Sequence, residues 1–306
     1  MDTLKDRQLI EPTMAANSSH RRLIQVATAH TMSRTEAFEA YSVGRGNLGD
    51  GVDPFLQIDH FFMSAPIFSP HPHAGFSAVT YMFEDSEGSF VNRDTMSAED
   101  SILIKPGDLH WTQAGSGMIH EEKPTEPGKV CHGLQIFVNL AAENKFSKPQ
   151  AFHLAAKNIP TYNGDNGKRV RVVAGSAFGL SSPLTTLTPV TLLDVFLPAG
   201  DCEASQRHRI EHTIADNHNV FVLVIDGSGT FEPNGELLNR DEAGLFDNNR
   251  ELITVEAGSQ GLHYVLCSGS PLNEPIVSQG PFVMNSRDQI QQVQHSYRSG
   301  EMGELN

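Results

Sequence analysis

From residue 55 to residue 138 the chain is a succession of short runs rich in β-branched and aromatic residues, each closed off by Gly, Pro or Asp. That punctuation restricts the fold more than any other feature. Runs at 78–83, 101–104, 118–122 and 133–138 are of strand length, and no long helical periodicity separates them. A sandwich or a barrel is the expected architecture. Pro106-Gly107-Asp108 reads as a tight turn, with Pro fixing φ and Gly tolerating a positive one. Shorter strand-like runs at 22–27 and 39–43 precede the series.

A second series, at 170–173, 191–197, 219–225, 252–256 and 263–267, follows a polar, glycine-containing bridge at 162–168. The bridge has the composition of a boundary, and 306 residues exceed the usual size of one domain. The expected organisation is an N-terminal arm (1–20), a first β-domain (21–160), a second (161–285) and a tail (286–306). Asp226-Gly227-Ser228-Gly229 reads as a turn like the one following residues 81–83, a weak sign of duplication. In the tail, SRDQIQQVQHSY reads as a short helix with Ser286 as N-cap and Asp288 in its first turn.

Charge excludes some partners. A formal net charge of −15 argues against a surface for phosphate backbones or anionic lipid, which both demand a local excess of Lys and Arg. Direct nucleic-acid binding and membrane association are not expected. The first 17 residues lack the apolar run of a signal peptide, and nowhere is there a stretch of about 18 apolar residues. Cys131, Cys202 and Cys267 form no CxxC pair, which favours a reducing compartment. A monomer in the cytoplasm is expected, with nuclear entry open in a eukaryote.

His71-Pro72-His73 is the sharpest local feature. Side chains alternate faces along a strand, so residues two apart can grip one ion. Pro72, without an N–H, belongs at a strand start or edge. His120 and Glu122 share a face in the same way, with Glu121 pointing away. Three imidazoles and one carboxylate suit Fe, Mn, Ni, Cu or Zn and suit Mg or Ca poorly. Against this stands the number of histidines, fourteen, which makes a lone H-x-H more often surface decoration than a site.

The strings His71-Pro72-His73-Ala74-Gly75-Phe76, Val79-Thr80-Tyr81, Pro106-Gly107-Asp108, Ala114-Gly115-Ser116-Gly117-Met118-Ile119-His120-Glu121-Glu122 and His132-Gly133-Leu134-Gln135-Ile136-Phe137-Val138-Asn139-Leu140 resemble those of the pirin family of cupins. Glu274-Pro275-Ile276-Val277 and Gly280-Pro281-Phe282-Val283-Met284-Asn285 resemble that family's C-terminal signature. The resemblance implies an all-β fold of two cupin barrels in tandem, each a double-stranded β-helix or jelly roll. It implies one divalent transition metal in the first barrel, held by His71, His73, His120 and Glu122. Fe(II) is the first expectation, with Mn, Ni, Cu, Co and Zn open. The second barrel is expected to be metal-free, because His208, His212 and His218 do not repeat the H-x-H spacing.

Departures from the family strings are specific. Ala74 stands for the usual Arg, Ser77 for a Glu that many other cupins use as a ligand, and Asn92 where a His is frequent. Gly115 stands where a Pro often does. His110 shows a G-x-x-H spacing but lacks a following same-face carboxylate, so it is assigned to the cavity wall or to the fold. Cys131 beside His132 is read as structural rather than nucleophilic.

By resemblance, the expected activity is that of a quercetin 2,3-dioxygenase, opening a flavonol-like aromatic substrate with O₂ and releasing carbon monoxide. Glu122 would then be both ligand and catalytic base, with Phe76, Met118, Trp111 and Phe137 as candidate apolar walls. The alternative is an iron-dependent redox-sensing regulatory protein that binds a transcriptional or metabolic partner. For that role an acidic surface fits a basic protein better than DNA.

Overall fold

The computed structural model describes residues 19–96, 101–199 and 208–305 in full and residues 7–8 as a short strand. Most of the expected arm, and Cys202, lie outside the described residues. The fold is all-β, with two cupin-type halves. A seven-stranded and a four-stranded sheet form the first half, and a ten-stranded sheet forms most of the second.

Strand Phe76–Met82 shows why the first half folds as it does. All seven of its residues are buried, so both faces of the strand are covered. Its even-numbered residues face the barrel interior, where Met82 packs with Phe61, Phe90 and Ile104. Its odd-numbered Val79 and Tyr81 face the other way, into a core shared with Val173, Leu192, Phe221 and Val265 of the second half. A half-exposed antiparallel strand would alternate polar and apolar residues. This one reads as a nearly continuous apolar run because it lies between a barrel interior and a domain interface. The interior of the second barrel is a separate cluster that includes Val195, Val222, Ile253 and Leu266.

The chain termini cross between the halves. Strand Leu23–Thr28, within the expected first domain, pairs with Glu242–Phe246 of the second half. At the other end, strands Val277–Gln279 and Phe282–Met284 form a hairpin. Its Phe282 bridges to Ala74, and it packs with Ile119 over the first barrel. Ser286 caps helix Arg287–Arg298, its hydroxyl accepting from the Gln289 N–H at 3.2 Å, and the helix buries Ile290 and Val293 against the same barrel.

One local expectation is corrected. Asp226-Gly227-Ser228-Gly229 is not a turn but the bent middle of strand Asn219–Glu232, with register shifts between Val224 and Asp226 and between Gly227 and Gly229. Likewise the runs at 252–256 and 263–267 belong to one strand, Leu252–Gly269. These two long strands pair along their length and bend together at Gly227 and Gly261. There a Cβ on Gly227 would sit 2.2 Å from the Gly261 carbonyl oxygen. Glycine here permits a bulged corner, which looks like a turn when only one strand is read. The turn at Pro106-Gly107-Asp108 is present, with Gly107 at φ +82 and the Asp108 N–H bonded to the Lys105 carbonyl.

Candidate metal centre

Strand His71–His73 lies at the edge of the four-stranded sheet, so Pro72 leaves no ladder bond unmade. It pairs with Met118–Pro124 in a register that sets His120 opposite His71 and Met118 opposite His73. His71, His73 and His120 therefore converge, with ring centroids 4.8–4.9 Å apart. One candidate ligand atom from each lies within 4.8 Å of the others. His71 donates through Nδ1–H to the Ser69 carbonyl, 2.9 Å away, a tautomer that leaves Nε2 with a free lone pair. Burial, reinforced by neighbouring imidazoles, pushes His73 down to about 3 and His120 well below its ordinary value. Both rings are thus held neutral, the state in which imidazole ligates a metal. A backbone carbonyl at Pro281 opposes the shift at His73 and brings the C-terminal hairpin to the edge of the site.

Glu122 lines the same cavity beside the triangle rather than joining it. Its Oε2 accepts from the Thr80 hydroxyl at 2.7 Å, and its buried Oε1 has no partner. Burial raises its pKa to about 7, against the bond from Thr80, which lowers it. The same Thr80 hydroxyl lies 3.1 Å from Oε1 of Gln135. Across the sheet, Thr80 stands opposite Gln135 and His110, and Gln135 opposite Asp59, so a polar row crosses the barrel wall behind Glu122. Asp59 accepts from the Gln57 amide at 2.8 Å, and both line the cavity with Gln135.

The cavity measures about 250 Å³ and is otherwise apolar, with Phe61, Phe68, Phe90 and Phe137 on its walls beside Met32 and Met63. Of the four walls expected from sequence, Phe137 is there. Phe76 packs edge-on against His73 and Phe137 from behind. Trp111 is in the core between the halves, and Met118 is fully buried without lining the cavity. His110 is buried, with no partner on either ring nitrogen. Thr80, Gln135, Gln57 and Asp59 are the residues that sequence reasoning passed over. They carry no motif, and only cross-strand register brings them together.

The departures acquire reasons. Strand alternation restarts after Gly75, so Ser77 shares a face with Val79 and Tyr81 and points between the halves. A carboxylate is not missing from the cavity on its account. Ala74 is fully buried under Phe282, Met284 and Val293, where an Arg has no room. Asn92 lies opposite Glu122 and donates to Asp94 at 3.1 Å. Cys131 is buried, which raises its thiol to about 12, and it points to the opposite face from His132, whose partner is Asp85 at 2.8 Å.

Comparison with known proteins bears on this arrangement. The Pirin family model matches residues 34–138, and the Pirin C-terminal cupin domain model matches residues 199–303. The chain belongs to the pirin family. A pirin-like protein from Solanum lycopersicum is 35% identical to this pirin-family chain over 264 residues, covering 86% of each. Among solved structures, quercetin 2,3-dioxygenase from Acinetobacter baumannii superposes with a TM-score of 0.83 at 25% identity, covering 94% of this pirin and 100% of that chain. A bacterial pirin from Escherichia coli solved with nickel(II) shares the fold, with a TM-score of 0.60 at 18% identity, covering 79% of this chain and 96% of that one. Among the described residues of this pirin, no helix is long and apolar enough to cross a membrane.

Proposed function

We propose that this pirin opens flavonols with O₂, as a quercetin 2,3-dioxygenase does, at one divalent transition metal held by His71, His73, His120 and Glu122, with Fe(II) the first candidate. The observation that carries the reading is a triangle of imidazoles, His73 and His120 held neutral by burial, facing an aromatic cavity, with a buried carboxylate oxygen beside it that lacks any partner. An orphaned buried oxygen is unfavourable unless something occupies its lone pairs. Likeness to the A. baumannii quercetin 2,3-dioxygenase supports the reaction class.

The donor set fits a borderline transition metal. Such an ion supplies Lewis-acid polarisation of a chelating oxygen and a place for O₂. Everything else falls to the chain. Phe61, Phe90 and Phe137 bind the flat aromatic body and exclude water. Thr80 anchors Oε2 of Glu122, so Oε1 is the oxygen that would ligate the metal and, on release from it, take the flavonol hydroxyl proton. Gln135, whose Nε2 donates one proton to the Val79 carbonyl, has a second N–H for a remaining substrate oxygen.

Metal content by plasma mass spectrometry, on wild type and on His73→Ala/Glu122→Ala, is the first test. About one ion per chain in wild type and at least a tenfold loss in the variant are expected. Quercetin-dependent O₂ uptake by the iron-loaded wild type tests the reaction. Full metal loading without uptake would sink the dioxygenase and leave the site to the partner-binding role.

A further inference from the structure

We propose that the second barrel contains a small-molecule site of its own, a cavity framed by Phe178, His212 and Ser268 that takes a compact, uncharged organic molecule bearing hydroxyl or carbonyl oxygen. The cavity measures about 460 Å³ and shares no residue with the histidine triangle. It is large enough for a ligand rather than a single water.

Two buried polar atoms of its lining, on His212 and Ser268, lack partners inside the protein. His212 lies on strand Arg209–Thr213 and is 2% exposed. Its Nε2 meets the Tyr264 hydroxyl at 2.6 Å, while its Nδ1 is buried without a partner. Tyr264 is buried and stays neutral, so its hydroxyl either donates to Nε2, which leaves the ring proton on Nδ1, or accepts from it, which leaves Nδ1 a lone pair. In either tautomer Nδ1, on a residue that lines the cavity, lacks a partner that a ligand hydroxyl, which both donates and accepts, can supply. Ser268, also 2% exposed, has an unpartnered hydroxyl as well. It stands directly opposite Thr191, another cavity residue, in the strand register. Leu193 and Ile214 supply apolar wall.

Charge selects against ions. The inner wall offers neutral hydroxyls and a neutral imidazole, while Glu211 at the rim faces solvent and His20. A carboxylate ligand would meet Glu211, while no Lys or Arg among the described residues lines the cavity and the Arg21 guanidinium is taken up by the carbonyls of Ala215 and His218. A ring-bearing ligand gains a further contact, because Phe178 sits at the cavity with its ring edge-on to His212 at 5.6 Å and stacked on Tyr162 at 4.7 Å. Phe178 adopts φ +53 in a two-residue turn with Gly179 at φ +73, between strands Ser176–Ala177 and Leu180–Ser181. Asn or Gly suits that left-handed position, and a bulky aromatic there is strained. Strain of this kind collects where a side chain is held for a purpose.

The test uses the full chain, ¹⁵N-labelled at histidine, titrated with 4-hydroxyacetophenone and with its anionic counterpart 4-hydroxybenzoate. The neutral probe is expected to bind saturably, to move the His212 Nδ1 resonance, and to bind at least tenfold more tightly than the anion. Ser268→Ala and Phe178→Asn should each weaken it severalfold, while His73→Ala should not. Circular dichroism confirms that each variant is folded, and either variant alone suffices. No saturable binding, equal binding of the anion, or binding undiminished in both folded variants would overturn the proposal.

Discussion

His212 is fully buried, and burial alone pushes its imidazole down to about 4. In the unfolded chain a histidine titrates near 6.5. Between those values the unfolded state binds more protons than the folded one, so stability rises with pH across that window. The contribution is complete above about 6.5 and is lost as pH falls towards 4, an effect of about 3 kcal/mol. Gln at this position can still accept from Tyr264 but does not titrate. Urea unfolding at pH 7.5 and at pH 4.5 should show His212→Gln losing about 2 kcal/mol less than wild type over that drop. An equal loss in both proteins would refute the assignment. At this scale the triangle was legible because H-x-H and H-x-E need only the two-residue period of a strand. Thr80 was not, since its partners Glu122 and Gln135 lie 42 and 55 residues away. Ser77 was misjudged for a related reason. The kink at Gly75, φ +83, shifts the alternation by one between His73 and Phe76, and a period-two reading carries no sign of it.

At the scale of elements, the C-terminal hairpin depends on that same kink. A Cβ on Gly75 would lie 1.9 Å from the Val283 carbonyl oxygen. Lys145, fully buried, bridges the two by donating to the carbonyls of Gly75 at 2.7 Å and Val283 at 2.9 Å. The Val283 N–H completes the seam on the Ala74 carbonyl. Gly75→Ala combines a collision with a left-handed φ, so it should destabilise by about 2–4 kcal/mol. Its clearest signature is local: amides of Phe282–Met284 should exchange faster with deuterium, while those of Asn219–Glu232 keep their protection. Uniform loss of protection would mean that the hairpin is not a separable unit. Little of this was visible in sequence beyond the Ser286 cap, which is a local signal. The docking of the hairpin and the corner at Gly227 and Gly261 both depend on a strand far away in the chain.

At the scale of the whole molecule, the bridge at 162–168 suggested two independent barrels, yet the largest described core runs between them. Tyr81 and Val79 on one side meet Val265 and Leu192 on the other, and the strands at both ends of the chain are exchanged. A buried polar group ties this seam. Asp194, fully buried, accepts from the Tyr81 hydroxyl at 2.6 Å and faces His263 Nε2 at 2.6 Å. Arg171 donates to the same Tyr81 hydroxyl and to the Gly107 carbonyl. Separating the halves would expose this core and leave charged groups without their partners, so neither half has a stable state of its own to populate. Calorimetry should therefore record one transition, with calorimetric and van't Hoff enthalpies in a ratio near one. Asp194→Ala leaves the buried Tyr81 hydroxyl without its acceptor and His263 without its carboxylate, and should lower stability by about 3–5 kcal/mol while keeping the transition single. If it instead splits into two peaks, the halves are autonomous, and the shared core joins them without making them fold together.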